Sequence, residues 1–566
     1  MSGFKNKYWK NELITLLGEK NVLLSYAEIN PYSTGIRVGK GKAEAVALPN
    51  SLLQIWQILK IAVRNNLIII MQAANTGLTG GSTPDGENYD REILIINTLK
   101  IDKIIPLKDA KQIVALPGSA LYKLEEILAR KNRSPHSIIG SSCIGASIVG
   151  GVCNNSGGNL LKRGPAYTEL SLFASIDNDG QLKLINNLDI ELGNTPEEIL
   201  VNLQSENFST QDVTYGEKLA SDKDYQIRVR DFNSPEPARF NSDKRRLYEA
   251  SGCAGKIAVF AVRLDTFEKE ISKKVFFLGT NNPDEFTKFR EKVLLKVNHL
   301  PDMAEYMHKS FFEASENFCK DNFLIIKNLG TKFLPKLFSI KSRIDNYLRF
   351  LKFIKKNISD NLLQKLSILL PNHLPKKIIE FRNKFEHYLI IQASDESIEE
   401  IRNILIDDKE KNYDYEFLEC NKKDGESLLL HRYVAGGAPK RIKIIEEENV
   451  GNIVAFDVAL PRNCKNWHQI IDENVLQDME YQFKMGHFFC MVFHWDFILK
   501  KNVNQEKVKE KMLALFKKIN AKFPAEHNVG HIYNAEPVLK DHYKELDPTN
   551  SFNSGVGKTS KNKNYI

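Results

Sequence analysis

Ile70-Met71-Gln72-Ala73-Ala74-Asn75-Thr76-Gly77-Leu78-Thr79-Gly80-Gly81-Ser82 decides how this chain is read. It follows an apolar run at 67–71 that the pattern predicts as a buried strand. Three glycines and four small hydroxyl or amide residues then fall within eight positions. No bulky side chain is in the way, so backbone N–H groups can turn inward as a nest for an anion, and the hydroxyls add donors. A diphosphate suits such a loop; a tight turn between two strands is the alternative. A second stretch, 137–158, contains Asn154-Asn155-Ser156-Gly157-Gly158 and carries no charge over more than twenty residues. Surface loops do not read like this, whereas a lining on which a flat ligand lies against backbone does. Neither stretch fits GxGxxG between a strand and a helix, nor the phosphate loop ending in Gly-Lys-Ser/Thr, which weakens the NAD and ATP readings.

At 566 residues the chain is too long for one core, and two to four domains are expected. Apolar content of 42% and charged content of 27% are ordinary for a globular protein. No uncharged apolar run reaches the length of a membrane span, and the N-terminus lacks the apolar core of a signal peptide. Seven cysteines without a CxxC pair point to a reducing compartment. The net charge of +8 is unevenly placed: 331–385 holds 13 basic against 3 acidic residues, leaving the remainder near −2. In that segment Lys332-Phe333-Leu334-Pro335-Lys336-Leu337-Phe338 and 347–356 interleave aromatics with Lys and Arg. Such faces lie on anionic bilayers. Single-stranded nucleic acid and a solvated helix pair are the rival readings.

Along the chain, strands are expected at 45–48, 93–97, 113–117, 170–176, 181–185 and 257–264, with helices at 51–65 and 121–129. This mix predicts α+β rather than a doubly wound sheet. Residues 202–241 read as polar and irregular. From 275 strand–helix units repeat, with strands at 275–279, 388–393 and 453–459 and helices at 283–297 and 397–406, as an α/β cap would.

Glu526-His527-Asn528-Val529-Gly530-His531 is the sharpest candidate for catalysis. An exposed imidazole beside a carboxylate suits proton abstraction near neutral pH; a capped turn with surface histidines is the alternative. Gly486-His487-Phe488-Phe489-Cys490-Met491-Val492-Phe493-His494 is apolar with a His toward each end. A spacing of seven would put the two on opposite faces of an ideal strand, so convergence would need a bulge. Arg432 offers a bidentate fork to a carboxylate, against the plainer reading of a surface salt bridge.

Three stretches carry a resemblance: 72–82, 135–165 (with Arg163-Gly164-Pro165 closing it) and 251–266. The two small-residue segments resemble the FAD domain of the vanillyl-alcohol-oxidase type. From end to end the chain resembles the bacterial respiratory, quinone-reducing D-lactate dehydrogenases. The resemblance implies an α+β fold: a two-subdomain FAD-binding domain, an α/β cap and a helical basic membrane-binding segment. It divides the chain into 1–268 (FAD), 269–305 (cap), 306–386 (membrane), 387–520 (cap, with a second membrane-contacting piece near 425–448) and 521–566 (return to the FAD domain). It implies FAD, non-covalent because 75–82 lacks a His, on Ala73, Ala74, Asn75, Thr76, Gly77, Gly81, Ser82, Gly140, Ser147, Gly157, Val259 and Asn553. It makes His527, beside Glu526, the base for the substrate hydroxyl and Arg432 the carboxylate ligand. In some relatives residues matching His487, His494 and Glu526 hold a divalent metal such as zinc or manganese; two strand histidines satisfied by hydrogen bonds is the alternative. Asn528 replaces the Gly that usually follows the catalytic His. The implied partners are D-lactate or a similar 2-hydroxyacid, membrane quinone and anionic phospholipid, without nucleic acid, at the cytoplasmic face of the bacterial inner membrane. The rivals are another 2-hydroxyacid, such as 2-hydroxyglutarate or glycolate, and a non-catalytic basic membrane- or nucleic-acid-binding protein on a flavin fold.

Overall fold

The computed structural model describes residues 8–137, 145–330 and 358–566. Strands β1 (Val22–Leu23), β2 (Ala45–Ala47), β3 (Ile68–Gln72) and β4 (Ile93–Asn97) form a sheet in the order β1-β2-β4-β3, with β2, β4 and β3 parallel. β3 and β4 are apolar almost throughout, as parallel strands covered on both faces require. The helix Leu52–Arg64 packs here; Ser51 caps it by accepting from the Gln54 N–H at 3.1 Å.

Strands β5 (Ile104–Leu107), β6 (Gln112–Ala115), β7 (Arg133–Ser134), β8 (Ser171–Ile176), β9 (Leu182–Asn186), β10 (Ala258–Asp265) and β11 (Phe267–Glu268) follow. Five make an antiparallel sheet, β5-β6-β10-β8-β9, and β7 pairs with β11. One core joins both sheets, with Leu59, Ile69 and Ile96 meeting Leu172 and Phe260. The region 202–241 is irregular as expected, apart from the end of the helix Pro196–Ser205, the helix Tyr225–Arg230 and one 3₁₀ turn.

The cap is a seven-stranded sheet. Its strands are β12 (Lys273–Thr280), β13 (Met303–His308), β14 (His387–Ser394), β15 (Glu416–Glu419), β16 (Val450–Ala459), β17 (Met479–His487) and β18 (Val492–Lys500), ordered β15-β12-β14-β13-β17-β18-β16. Every pairing is antiparallel. Helices Asp284–Lys296, Glu396–Glu410 and Gln505–Lys518 cover its back through Phe289, Leu405 and Phe516. Helices Lys309–Phe318, Lys422–Val434 and Ala438–Ile445 cover part of the front through Phe312, Leu428 and Ile442. The remaining front carries polar side chains.

Between β13 and β14 the chain leaves the sheet for 309–386, which holds the helices Lys309–Phe318, Lys320–Leu329, Ile358–Ile368 and Lys376–Arg382. The aromatic-basic stretches at 332–338 and 347–356 lie outside the described residues, as does Gly140. No helix among the described residues is long and apolar enough to cross a membrane. The tail returns to the first sheet, where Phe552 bridges Ile69 in parallel and the Asn553 N–H donates to the Ile69 carbonyl at 2.9 Å. Phe552 is fully buried, a contribution of roughly 1.5–3 kcal/mol. Buried Lys256 fixes the same turn, donating to Asn550 Oδ1 at 2.7 Å and the Phe552 carbonyl at 3.0 Å.

Candidate active site

His487 and His494 stand on one face of the cap sheet without a bulge. They lie on two strands, not one. β17 ends at His487, a short turn reverses at Met491 in the left-handed region, and β18 begins at Val492. His487 pairs with Val492 and Met485 with His494, which makes the histidines diagonal cross-strand neighbours on the same side. Register extends the row: Glu305 on β13 is opposite His487, and Asp457 on β16 is opposite His494.

The loop carrying Glu526 and His527 crosses this face. It is tied to β16 by paired backbone bonds between Lys522 and Ala459, and the Glu526 N–H donates to Asp457 Oδ2 at 2.9 Å. His487 Nε2 and His494 Nε2 are 3.2 Å apart, and the Glu526 carboxylate lies 3.4 Å from the first and 3.8 Å from the second. All three donors fall within 4.8 Å of one another. The opposite ring nitrogens face carboxylates: His487 Nδ1 is 2.8 Å from Glu305 and His494 Nδ1 3.5 Å from Asp457. His527, one-third exposed, turns Nε2 toward Asp457 Oδ2 at 3.9 Å. Arg432, on the helix Lys422–Val434, pairs with Glu305 at 2.6 Å, and its Nε has no hydrogen-bond partner among the described residues.

Burial would raise the Glu305 carboxyl, but Arg432 and then His487 hold it down at about 2. Burial depresses His487 against the opposing pull of Glu305, and His494 is pushed well below the ordinary imidazole range by burial and by His487. Both rings are therefore neutral near pH 7, the form that donates a lone pair to a metal. Burial raises Asp457, opposed by His527 and Arg239.

The cofactor loops meet the cluster through the tail. The loop after β3 is shaped by Asn75 in the left-handed region; its Nδ2 donates to the Thr34 carbonyl and its Oδ1 accepts from Ser82 Oγ at 3.0 Å. Asn97 Nδ2 donates to the Ala73 carbonyl at 3.0 Å. Ala73, Ala74, Asn75 and Thr76 are half-buried and Gly77 is exposed; a Cβ on Gly77 or Gly145 would meet nothing within 4 Å, so both front open space. Ser147 caps the short helix Ile148–Cys153 by accepting from the Gly150 N–H at 3.0 Å. Val259, on central strand β10, is buried at a break in its pairing with β8. Asn553 Nδ2 donates to the Gly81 and Ala254 carbonyls at 2.8 and 2.7 Å, leaving its Oδ1 a buried acceptor without a partner among the described residues. Asn528 sits where a Cβ on Gly81 would go and donates to Asn154 Oδ1 at 2.8 Å, so it stitches the loop of Glu526 and His527 to both small-residue loops. Open glycine backbone plus an orphaned buried acceptor fit an extended ligand such as FAD.

Four participants escaped the sequence reading. Glu305 and Asp457 had a signal, each being the sole carboxylate in an otherwise apolar part of its strand. Arg239 and Asn241 had none. Arg239 ion-pairs with Glu526 and donates to the Gly158 carbonyl at 2.6 Å; a Cβ on Gly157 would meet its guanidinium at 2.6 Å. Asn241 Nδ2 donates to the Pro524 carbonyl at 3.1 Å and to the His527 carbonyl.

Two family descriptions match: an FAD binding domain over 43–184, and "D-lactate dehydrogenase, membrane binding" over 275–565. The chain is 46% identical over 565 residues to a quinone-dependent D-lactate dehydrogenase of Escherichia coli strain K12, covering 100% of this chain and 99% of that protein. A protein of the same description from Haemophilus influenzae is 46% identical over 560 residues, 98% of each chain. Among solved structures, p-cresol methylhydroxylase with substrate bound superposes with a TM-score of 0.58, over 99% of this chain and 98% of that one at 12% identity, a likeness of fold.

Proposed function

The chain belongs to the quinone-dependent D-lactate dehydrogenase family, and on that premise we infer that it oxidises D-lactate to pyruvate with FAD as cofactor and passes the electrons to quinone. Full-length likeness to relatives of that activity carries the reading. Convergence of a His–carboxylate cluster on the FAD-binding loops supports it. Anaerobic addition of D-lactate to the purified holoenzyme should bleach the flavin absorbance, whereas L-lactate should not; equal bleaching by both would overturn it.

Ala73 to Thr76, Gly77, Gly81, Ser82, Ser147, Gly157, Val259 and Asn553 would hold FAD, which when bound supplies the two-electron acceptor. His527 takes the hydroxyl proton. Its Nε2 is turned to Asp457, so Nδ1 is the atom left to accept. Asp457 stabilises the imidazolium that results. Glu526, held between Arg239 and the two histidines, fixes the loop on which His527 stands. Arg432 binds the substrate carboxylate, its Nε being the buried donor that Glu305 leaves free.

His487, His494 and Glu526 would hold a divalent ion such as zinc or manganese. Two imidazole nitrogens 3.2 Å apart fit neighbouring ligands at about 2.1 Å from one ion, and both rings carry the carboxylate partner that metal-bound histidines use. A bound ion would supply Lewis acidity toward the substrate oxygens.

We also propose the division 1–268, 269–305, 306–386, 387–520 and 521–566, and a seat on anionic phospholipid at the cytoplasmic face of the bacterial inner membrane. The charge excess in 331–385 supports the lipid contact. So do Leu362, Leu366 and Leu369, exposed by 57%, 49% and 81% at helical spacing on and just past the helix Ile358–Ile368. Reversing Lys352, Lys355 and Lys356 to Glu should release the enzyme from anionic liposomes and abolish quinone reduction while dye-linked lactate oxidation persists. Wild-type liposome affinity would remove this segment as the anchor.

A further inference from the structure

The back of the cap sheet carries a row of basic side chains that the lactate chemistry does not use. His308 on β13 is directly opposite His387 on β14. On the other side, β13 pairs with β17 through Met307 and Met485, and the next step of that register sets Lys484 opposite His308. His387, His308 and Lys484 thus occupy one rung of three adjacent strands, on the same face. The imidazole rings of His308 and His387 lie 5.2 Å apart edge to face. Tyr306, one step inward on this face, shares a 2.8 Å hydrogen bond with His387 Nδ1.

A half-buried ammonium costs free energy unless an anion or a hydrogen bond compensates it. All three side chains of the rung are half-buried. The Lys484 ammonium has no ion pair and no hydrogen bond among the described residues, and burial depresses it. Burial holds His308 and His387 at about 4 and about 3, with Lys484 adding to the depression of both. His468 borders the group, its Nδ1 buried without a partner among the described residues and its Nε2 3.8 Å from Asp284. The rung also stands where the chain leaves the sheet for 309–386 and returns. We propose that His387, His308 and Lys484 form a binding site for a phosphate group, carried by a lipid headgroup or by soluble phosphate. The ligand supplies the negative charge that this rung lacks, and its oxygens take the Lys484 N–H donors and the imidazole N–H groups. This inference is independent of the lactate chemistry on the front of the sheet.

The test uses FAD-loaded, full-length enzyme in phosphate-free buffer. A soluble source predicts saturable calorimetric binding of inorganic phosphate, with a rise in Tm that Lys484→Met and His387→Gln each reduce by weakening affinity about tenfold. A lipid source predicts no saturable binding of inorganic phosphate, but weaker binding of Lys484→Met to phosphatidylglycerol vesicles than of the control Lys269→Met, an exposed lysine elsewhere. In either case Lys484→Met should unfold no earlier than wild type without phosphate, because a half-buried ammonium without a partner is removed, and dye-linked lactate oxidation should be unchanged. Lys484→Arg should keep the binding. Phosphate and vesicle affinities of Lys484→Met equal to those of its controls would overturn the site, as would a lower Tm of Lys484→Met in phosphate-free buffer, which would make Lys484 a structural residue.

Discussion

Asp457→Asn removes one charge and almost no volume. The Asn side-chain oxygen can still accept from the Glu526 N–H, which now donates to Asp457 Oδ2 at 2.9 Å, so the loop should keep its course. What is lost is the carboxylate 3.9 Å from His527 Nε2. With an effective dielectric near 20, a carboxylate and an imidazolium about 4 Å apart attract by roughly 4 kcal/mol. His527 is 34% exposed, and water screens part of that, leaving roughly 1.5–3 kcal/mol for the charged form. The imidazolium forms only as the hydroxyl proton is taken, so the loss falls on the reaction step and not on binding. Anaerobic stopped-flow of the FAD-loaded variant with D-lactate should show flavin reduction slowed by roughly 10- to 100-fold at saturating substrate. Metal analysis of the same sample guards against loss of an ion through His494. A reduction rate within about twofold of wild type, with FAD and fold intact, would refute the pairing of His527 with Asp457.

Gly77 does not occupy the left-handed region and a Cβ there meets nothing, so Gly77→Ala should retain FAD, whereas Gly77→Asp should purify without it through charge alone; full flavin occupancy in Gly77→Asp would remove this loop from the diphosphate site. Elemental analysis of active enzyme should find about one divalent ion per chain, absent from His487→Ala; full activity after complete chelation would leave both histidines structural. Buried His431, depressed from 6.5 to about 3 by burial and then by His373, is protonated first in the unfolded chain. Stability should therefore fall as pH drops from 6.5 toward 3, by up to about 1.4 kcal/mol per unit. His431→Gln should flatten that fall in thermal unfolding, and an unchanged slope would show that His431 is not its source.

Local pattern made the FAD domain legible. The helix at 51–65, the strands at 93–97 and 170–176 and the loop after 72 each announce themselves by periodicity or by their small residues, and the structure holds them within a residue or two. The cap was legible as strands and helices but not as one antiparallel sheet, because the pairing of β13 with β17 spans some 180 residues that no local pattern encodes. The same gap misplaced the two histidines: alternation along one strand sets them apart, while a hairpin that turns through Met491 brings them together. Glu305 and Asp457 were visible as lone carboxylates in apolar strands. Arg239 and Asn241 were not, since an arginine and an asparagine in a polar loop are unremarkable until the tail lies across them.

The most direct test of the active-site assignment is the rate of anaerobic flavin reduction by D-lactate in His527→Gln. The variant should bind FAD as wild type does, with an unaltered absorbance spectrum, and be reduced at least about 10²-fold more slowly, the scale of losing a general base. Reduction at the wild-type rate with full FAD occupancy would contradict the assignment of His527 and with it the placing of lactate chemistry on this face of the sheet.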